Sequence, residues 1–305
     1  MKIKIGTRGS KLALWQAEFV AQTLQNGGLE TEIVIIETKG DKILDRSLSK
    51  IGSKGVFTEE LEEQLRSGEI DIAQHSAKDL QSLLAEDLEL IAFTEREQVN
   101  DVLVSFDKSL SLDSGQPFVI GTSSTRRVAI LRHYYPHIQV VDMRGNLQTR
   151  LRKLQDGHCD ALLLAYAGVH RMGYDEHIVQ LLDIEKFTPA VGQGSVAIEC
   201  AKSLDADKKA QIRALLNHAQ TEQCIVAERA FLATMQGGCS IPVFGLALPE
   251  SGVIRLSCGI ISLDGQTILT ETITGTNPLR IGHEAATILL QKGGAEVLKA
   301  IRQEL

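Results

Sequence analysis

The alternation of short apolar runs with helical stripes, carried through twice in succession, is the feature that most restricts what this chain can fold into. Lys2–Gly6 reads as a strand and Ser10–Leu24 as a helix, with Leu14, Ala17, Val20, Ala21 and Leu24 on one stripe. Glu32–Thr38 follows as a strand, Phe57–Arg66 as a helix and Ile70–Ala73 as a third strand. The order β-α-β-α-β calls for a parallel sheet with helices on both faces. The same order returns with strands at Phe118–Ile120, Ile138–Met143 and Ala161–Ala165 and helices at Thr125–His133 and Asn146–Gln155. Even the opening turn is echoed, Ile5-Gly6-Thr7-Arg8-Gly9-Ser10 against Ile120-Gly121-Thr122-Ser123-Ser124-Thr125. Two similar, doubly wound α/β lobes are therefore expected.

After Asn217 the character changes. A helix through Ala227–Met235 ends in Gly237-Gly238-Cys239, strands follow at Val243–Leu248, Ile254–Ile261 and Thr267–Thr274, and a helix closes the chain from His283 to Arg302. These are the parts of a small α+β domain. The expected division of the 305 residues is 1–94 with about 195–214 for the first lobe, 100–188 for the second, and 217–305 for a C-terminal domain carrying Cys239. Hinges are expected at about 95–99 and 189–194, the latter holding Pro189, Gly192 and Gly194.

A hydrophobic content of 43% excludes a disordered chain. The longest uncharged apolar stretch, around Ala161–Val169, is far short of the roughly 20 residues of a membrane helix. The start, Met1-Lys2-Ile3-Lys4-Ile5, lacks the apolar block of a secretory signal. Cys159, Cys200, Cys224, Cys239 and Cys258 are scattered without a Cys-x-x-Cys pair, which opposes a disulfide framework or thiolate zinc site and suits a reducing, cytoplasmic setting. The histidines show no metal-ligand spacing, so no metal is expected.

A net charge of −7 opposes general nucleic-acid binding. Between Gly121 and Gln155, however, Arg126, Arg127, Arg132, Arg144, Arg150, Arg152 and Lys153 face one acid, Asp142, giving that window +6 and leaving −13 for the remainder. Such a window is either a solvated helix face or a site for a small polyanion.

In open parallel sheets, ligands bind beyond the carboxyl ends of the strands, where helix N-termini point. The ends here are Thr7-Arg8-Gly9-Ser10, Thr38-Lys39-Gly40-Asp41, His75-Ser76-Ala77-Lys78-Asp79, Thr122–Arg127, Arg144-Gly145-Asn146, and a less polar Ala165–Gly168 leading to Arg171. Hydroxyls, helix N–H groups and planar guanidinium forks at successive junctions suit carboxylates or phosphates. Helix capping and surface charge are the plainer account of any one of them. Asp79 is the only acid of its neighbourhood, and a lone carboxylate among cations can stabilise a cationic intermediate or shuttle a proton. Lys42–Phe57 is long, aperiodic and rich in small residues, either a plain loop or a lid. Cys239 after two glycines is either a small buried hydrophobe or an exposed thiol suited to covalent chemistry.

Seven of these motifs, in order, resemble the porphobilinogen deaminase (hydroxymethylbilane synthase) family over nearly the whole chain. They are Gly6-Thr7-Arg8-Gly9-Ser10-Lys11-Leu12-Ala13, Lys54-Gly55-Val56-Phe57, His75–Asp79, Gly121–Arg127, Arg144-Gly145-Asn146, Gly192-Gln193-Gly194 and Gly237-Gly238-Cys239. The resemblance implies two periplasmic-binding-protein-like lobes and a small α+β domain, in a monomeric transferase. It implies head-to-tail condensation of four porphobilinogen units, with loss of ammonia at each step, into the linear hydroxymethylbilane of tetrapyrrole and haem biosynthesis. A dipyrromethane primer would be held by a thioether to Cys239. Asp79 would be the catalytic carboxylate. Lys78, Thr122, Ser124, Arg126 and Arg127 would contact the primer, and Arg8, Ser10, Arg144, Arg150 and Arg171 the substrate and growing chain. Lys50, Lys54 and Phe57 would belong to the active-site loop. No nucleic-acid or membrane partner is implied.

The chain departs from the family pattern twice. Leu80-Gln81 replace Val-Pro after the lysine–aspartate pair, and Gln98-Val99-Asn100-Asp101 replace Asp-Pro-Arg-Asp, which bears on hinge stiffness. A non-catalytic two-lobed anion-binding protein is the alternative the fold allows, but it needs no Cys239. A phosphate-handling regulator using the basic window has no use for Asp79.

Overall fold

The structure is a computed structural model that describes residues 1–38, 58–238 and 240–305. Lys50, Lys54, Phe57 and Cys239 lie outside the described residues.

The chain begins with β1 (Lys2–Thr7), α1 (Lys11–Asn26) and β2 (Glu30–Ile35). Next come α2 (Glu59–Ser67), β3 (Ile72–Ser76), a 3-10 turn at Ala77–Asp79, and β4 (Leu88–Phe93). It then crosses to a second sheet through β5 (Asp101–Val104), β6 (Val119–Gly121), α3 (Thr125–Tyr134), β7 (Gln139–Val141), α4 (Leu147–Gln155), β8 (Ala161–Ala165), α5 (Tyr166–Arg171) and β9 (Ile178–Leu181). It returns to the first sheet as β10 (Val196–Ala201) and α6 (Ala206–Leu216). The C-terminal part is α7 (Ala219–Thr234), β11 (Val243–Glu250), β12 (Val253–Ile261), β13 (Ile268–Gly275), α8 (Pro278–Leu289) and α9 (Ala295–Glu304).

The two five-stranded sheets have the same plan, β2-β1-β3-β10-β4 and β7-β6-β8-β5-β9. In each, three strands run parallel, as the alternation requires. The fourth strand is antiparallel to both its neighbours, because it is the arm the other lobe sends across. The parallel order expected from the alternation holds for the first three strands of each sheet. The echoed turns occupy equivalent places, at the carboxyl ends of β1 and β6. Gly6 and Gly121 are glycines for the same steric reason: a Cβ would meet Ile70 Cδ1 at 2.3 Å in one lobe and Cys159 Sγ at 2.9 Å in the other.

Each lobe has its own apolar core. Ile3, Ile5, Val20, Leu24, Ile72 and Ile198 pack together in the first, and Leu103, Ile120, Ile130 and Leu163 in the second. The three-stranded β11-β12-β13 sheet packs on α7 and α8 through Phe231, Leu256, Ile260, Ala285 and Leu289. The single closing helix expected at the C-terminus is two helices, parted at 290–294 where Gly293 has φ 107°. Among the described residues no helix is long and apolar enough to cross a membrane.

Candidate active site

Asp79 ends the turn after β3 and is exposed. Beneath it, Ala77 and Leu80 pack with Phe93, Ala197 and Ile225 in a small apolar cluster, so the turn rests on β4, β10 and α7. Leu80 is 5% exposed, filling an apolar seat as the valine it replaces would. The Gln81 carbonyl accepts from Arg229 Nη2 at 2.9 Å, which fixes the chain just beyond Asp79.

Across the crevice, α3 delivers Arg126 and Arg127 in its first turn, where the helix N-terminus adds to their positive field. Both are nearly fully buried, and both are pinned to one carboxylate. Arg126 Nη2 donates to Asp101 Oδ2 at 2.6 Å and Arg127 Nη2 to Asp101 Oδ1 at 2.7 Å. Arg126 Nη1 also donates to the Thr188 carbonyl at 2.8 Å, and Arg127 Nη1 to the Leu163 carbonyl at 3.0 Å. Burial pushes the Asp101 carboxyl up, but the two guanidiniums outweigh it and hold it well below the usual carboxylate range. Gln193 completes the pedestal: its Nε2 donates to Asp101 Oδ1 at 2.9 Å and to the Val99 carbonyl at 2.7 Å. Its Oε1 accepts from Lys78 Nζ at 3.4 Å.

Lys78 is thus drawn toward the arginine pair. Burial and the fields of Arg127 and Arg126 lower its ammonium to about 8, with Asp79 and Asp101 opposing them. Arg150 feels Arg127, Asp79, Asp142 and Arg144, and burial depresses its guanidinium. Its Nε folds back onto the Gly145 carbonyl at 2.8 Å, while Asn146 caps α4 by accepting from Thr149 N at 2.9 Å.

The structure therefore gathers Lys78, Asp79, Arg126, Arg127, Arg144 and Arg150 into one electrostatic cluster. Thr122 and Ser124 lie at the end of β6 beside it. Thr122 Oγ1 accepts from Ser124 N at 3.3 Å, and the Ser124 hydroxyl makes no cap bond to α3. Ser10 caps α1, accepting from Ala13 N at 3.3 Å, and Arg8 follows β1, half-buried. Arg171 stands apart, donating to the Gly194 carbonyl at 2.7 Å.

Two expectations are corrected. Asp79 is not the lone carboxylate among these cations, because Asp101 lies under them, fully buried. Arg126, expected to turn its guanidinium to the primer, instead commits both terminal nitrogens to the protein at 5% exposure. Sequence reasoning passed over Asp101, Gln193, Arg96 and Glu228 as site-building residues. The Arg96 Nε donates to the Gln193 carbonyl at 2.8 Å, and its two Nη groups reach Glu228 at 2.5 and 3.1 Å. Glu228, from α7, also accepts Gly192 N at 2.7 Å and Ala247 N at 2.8 Å. One carboxylate so joins both crossovers to the C-terminal sheet. In the altered segment, Asn100 Nδ2 donates to the Leu182 carbonyl at 2.8 Å, tying the crossovers together by a side chain.

Arg126 Nε, Arg127 Nε and Arg144 Nη1 are buried without a hydrogen-bond partner among the described residues. Unpaired buried guanidinium N–H groups are costly and fit a ligand carrying several carboxylates. Fold and site together define a two-lobed α/β protein whose crevice sets unpartnered arginine N–H groups near one exposed carboxylate.

The comparisons give the class a family. Residues 3–230 match the model described as "Porphobilinogen deaminase, dipyromethane cofactor binding domain", and residues 222–291 the model of the porphobilinogen deaminase C-terminal domain. The porphobilinogen deaminase of Cytophaga hutchinsonii is 59% identical over 305 residues, covering 99% of this chain and 98% of that protein. That of Desulfosudis oleivorans is 50% identical over 307 residues, covering 100% and 99%. Among solved structures, the methionine binding protein MetQ is 16% identical, with a TM-score of 0.44 over 73% of this chain and 92% of that one. The chain belongs to the porphobilinogen deaminase family. It is an enzyme of the transferase class with a dipyrromethane cofactor, and the non-catalytic alternative is set aside.

Proposed function

We propose that the crevice joins porphobilinogen units head to tail, releasing one ammonia per unit, with Asp79 as the carboxylate at the reacting centre and Cys239 as the anchor. When bound, the dipyrromethane supplies a covalently held primer that accepts the first unit. Its acetate and propionate groups suit the unpartnered N–H groups of Arg126, Arg127 and Arg144, with Lys78, Thr122 and Ser124 completing the primer side. Arg8, Ser10, Arg150 and Arg171 serve the carboxylates of the incoming unit and of the chain.

Loss of ammonia from the substrate's aminomethyl group breaks a C–N bond whose electron pair leaves with nitrogen, and the pyrrole ring takes up positive charge. The Asp79 carboxylate would stabilise that charge as it develops. It would also take up, directly or through water, the proton shed when the new carbon–carbon bond forms. The surrounding cations hold the substrate by its carboxylates and discourage the cationic ring from binding elsewhere. Asp79 performs this among them because it is exposed while Asp101 is committed to Arg126 and Arg127.

The described thiols support the anchor assignment. Burial pushes Cys200 up to about 12 and Cys224 up to about 11, and raises Cys159 and Cys258 as well. Such thiols are poor nucleophiles. These four buried free cysteines also suit a reducing, cytosolic setting.

The observation that carries the reading is an exposed carboxylate on a packed turn, facing arginines with unpaired buried N–H groups. The Asp79→Asn variant tests it. It should fold and retain its primer, yet lose turnover by at least about a hundredfold, the usual worth of an acid–base group. Turnover within tenfold of the unaltered enzyme would remove Asp79 from the reacting centre.

A further inference from the structure

Arg171 ends α5 in the second lobe, and Trp15 lies on α1 in the first; the two helices pack together. The Arg171 guanidinium carbon stands 5.5 Å from the Trp15 ring centroid. One corner of the same group is fixed by the bond to the Gly194 carbonyl. That carbonyl is itself tightly constrained: Gly194 has φ 97°, and a Cβ there would lie 2.6 Å from the Glu97 carbonyl oxygen. Phe19 lies parallel to the Trp15 ring, with centroids 5.8 Å apart and planes within 2°. Arg171, from the second lobe, is therefore held at its face by the first lobe and at one corner by the second hinge.

A guanidinium stacked on an aromatic ring spends its face and keeps its in-plane N–H groups for a carboxylate fork. We infer that Trp15 is a positioning residue for substrate binding, holding Arg171 across the lobe boundary in the orientation that receives a porphobilinogen carboxylate. The inference rests on the reading of Arg171 as a substrate contact. The ring takes no part in bond making.

Steady-state kinetics of the primer-loaded enzyme test this with Trp15→Leu, Trp15→Phe, Arg171→Gln and the Trp15→Leu, Arg171→Gln double variant. Trp15→Leu should raise KM about fivefold, the worth of a partly buried cation–π contact, with kcat within about twofold. Trp15→Phe, which keeps a ring, should recover most of the loss. The double variant should be no worse than Arg171→Gln. Trp15 is the one tryptophan of the sequence, so its emission gives a readout independent of turnover. It should respond to porphobilinogen in the unaltered protein and not in Arg171→Gln. If Arg171→Gln raises KM while Trp15→Leu does not, or if the two effects simply add, Trp15 has no positioning role although Arg171 keeps its own. If Arg171→Gln leaves KM unchanged, the substrate assignment of Arg171 falls, and the inference with it.

Discussion

Replacing Asp101 by Asn removes one negative charge and almost no volume from beneath two buried guanidiniums. At about 4 Å between charge centres and an effective dielectric of about 20, each ion pair is worth about 4 kcal/mol. Much of that is offset by the desolvation of three buried charges, so the pairs contribute little net stability as a unit. Breaking them is another matter. Asn can still accept from one arginine, but its amide NH2 then faces the N–H groups of the other, leaving an uncompensated cation that costs about 3–5 kcal/mol. At roughly 2 °C per kcal/mol for a chain of this size, thermal unfolding followed by circular dichroism should show the midpoint fall by roughly 6–10 °C. The folded carboxyl lies below its unfolded value. Its contribution is therefore complete above the unfolded pKa of about 3.9, and is lost as pH falls below that value toward the folded one. The variant should accordingly lose part of the acid limb of the stability profile below about pH 4. A midpoint within about 2 °C of the unaltered protein, with an unchanged acid limb, would refute the pedestal role of Asp101.

Glu228→Gln should cost about 3 kcal/mol by leaving Arg96 buried and unpaired, and thermal unfolding should show the C-terminal part loosening first; an unchanged midpoint would mean the junction is held by packing alone. Lys78, with its folded ammonium lowered to about 8, is charged below that pH and neutral above it. In the free enzyme kcat/KM should fall as pH rises through about 8, and Lys78→Arg should carry that limb beyond pH 10; an identical profile in the variant would exclude Lys78 as its source.

The repeated βαβ order and the echoed Gly6 and Gly121 turns were legible because both rest on local pattern: apolar periodicity, and glycine where a neighbour leaves no room for Cβ. The strands that each lobe sends into the other's sheet were not. β5 and β10 are short and buried on both sides, and β10 carries Glu199 in its middle, paired with His75 Nε2 at 2.9 Å. A run with a charge at its centre shows neither alternation nor an apolar block, and its partner lies 124 positions away. The cations of the site could be read because they stand at strand ends. Their supports could not: Gln193 and Asp101 stand in segments that stood out for other reasons, and nothing local tells which of 39 acids and many amides, Glu228 included, would support those cations. Arg126 looked like a crevice residue because its position on α3 is right, while its burial depends on Asp101 and Thr188, which lie 25 and 62 positions away.

The central claim is that this crevice works on a primer anchored to Cys239. The most direct measurement is the intact mass of the purified protein under denaturing conditions, beside Cys239→Ser. The unaltered protein, taken as isolated or after incubation with porphobilinogen, should exceed its sequence mass by two porphobilinogen-derived units, and the variant should match its bare sequence. Extra mass that persists in Cys239→Ser, or a bare mass after incubation with porphobilinogen, would contradict it.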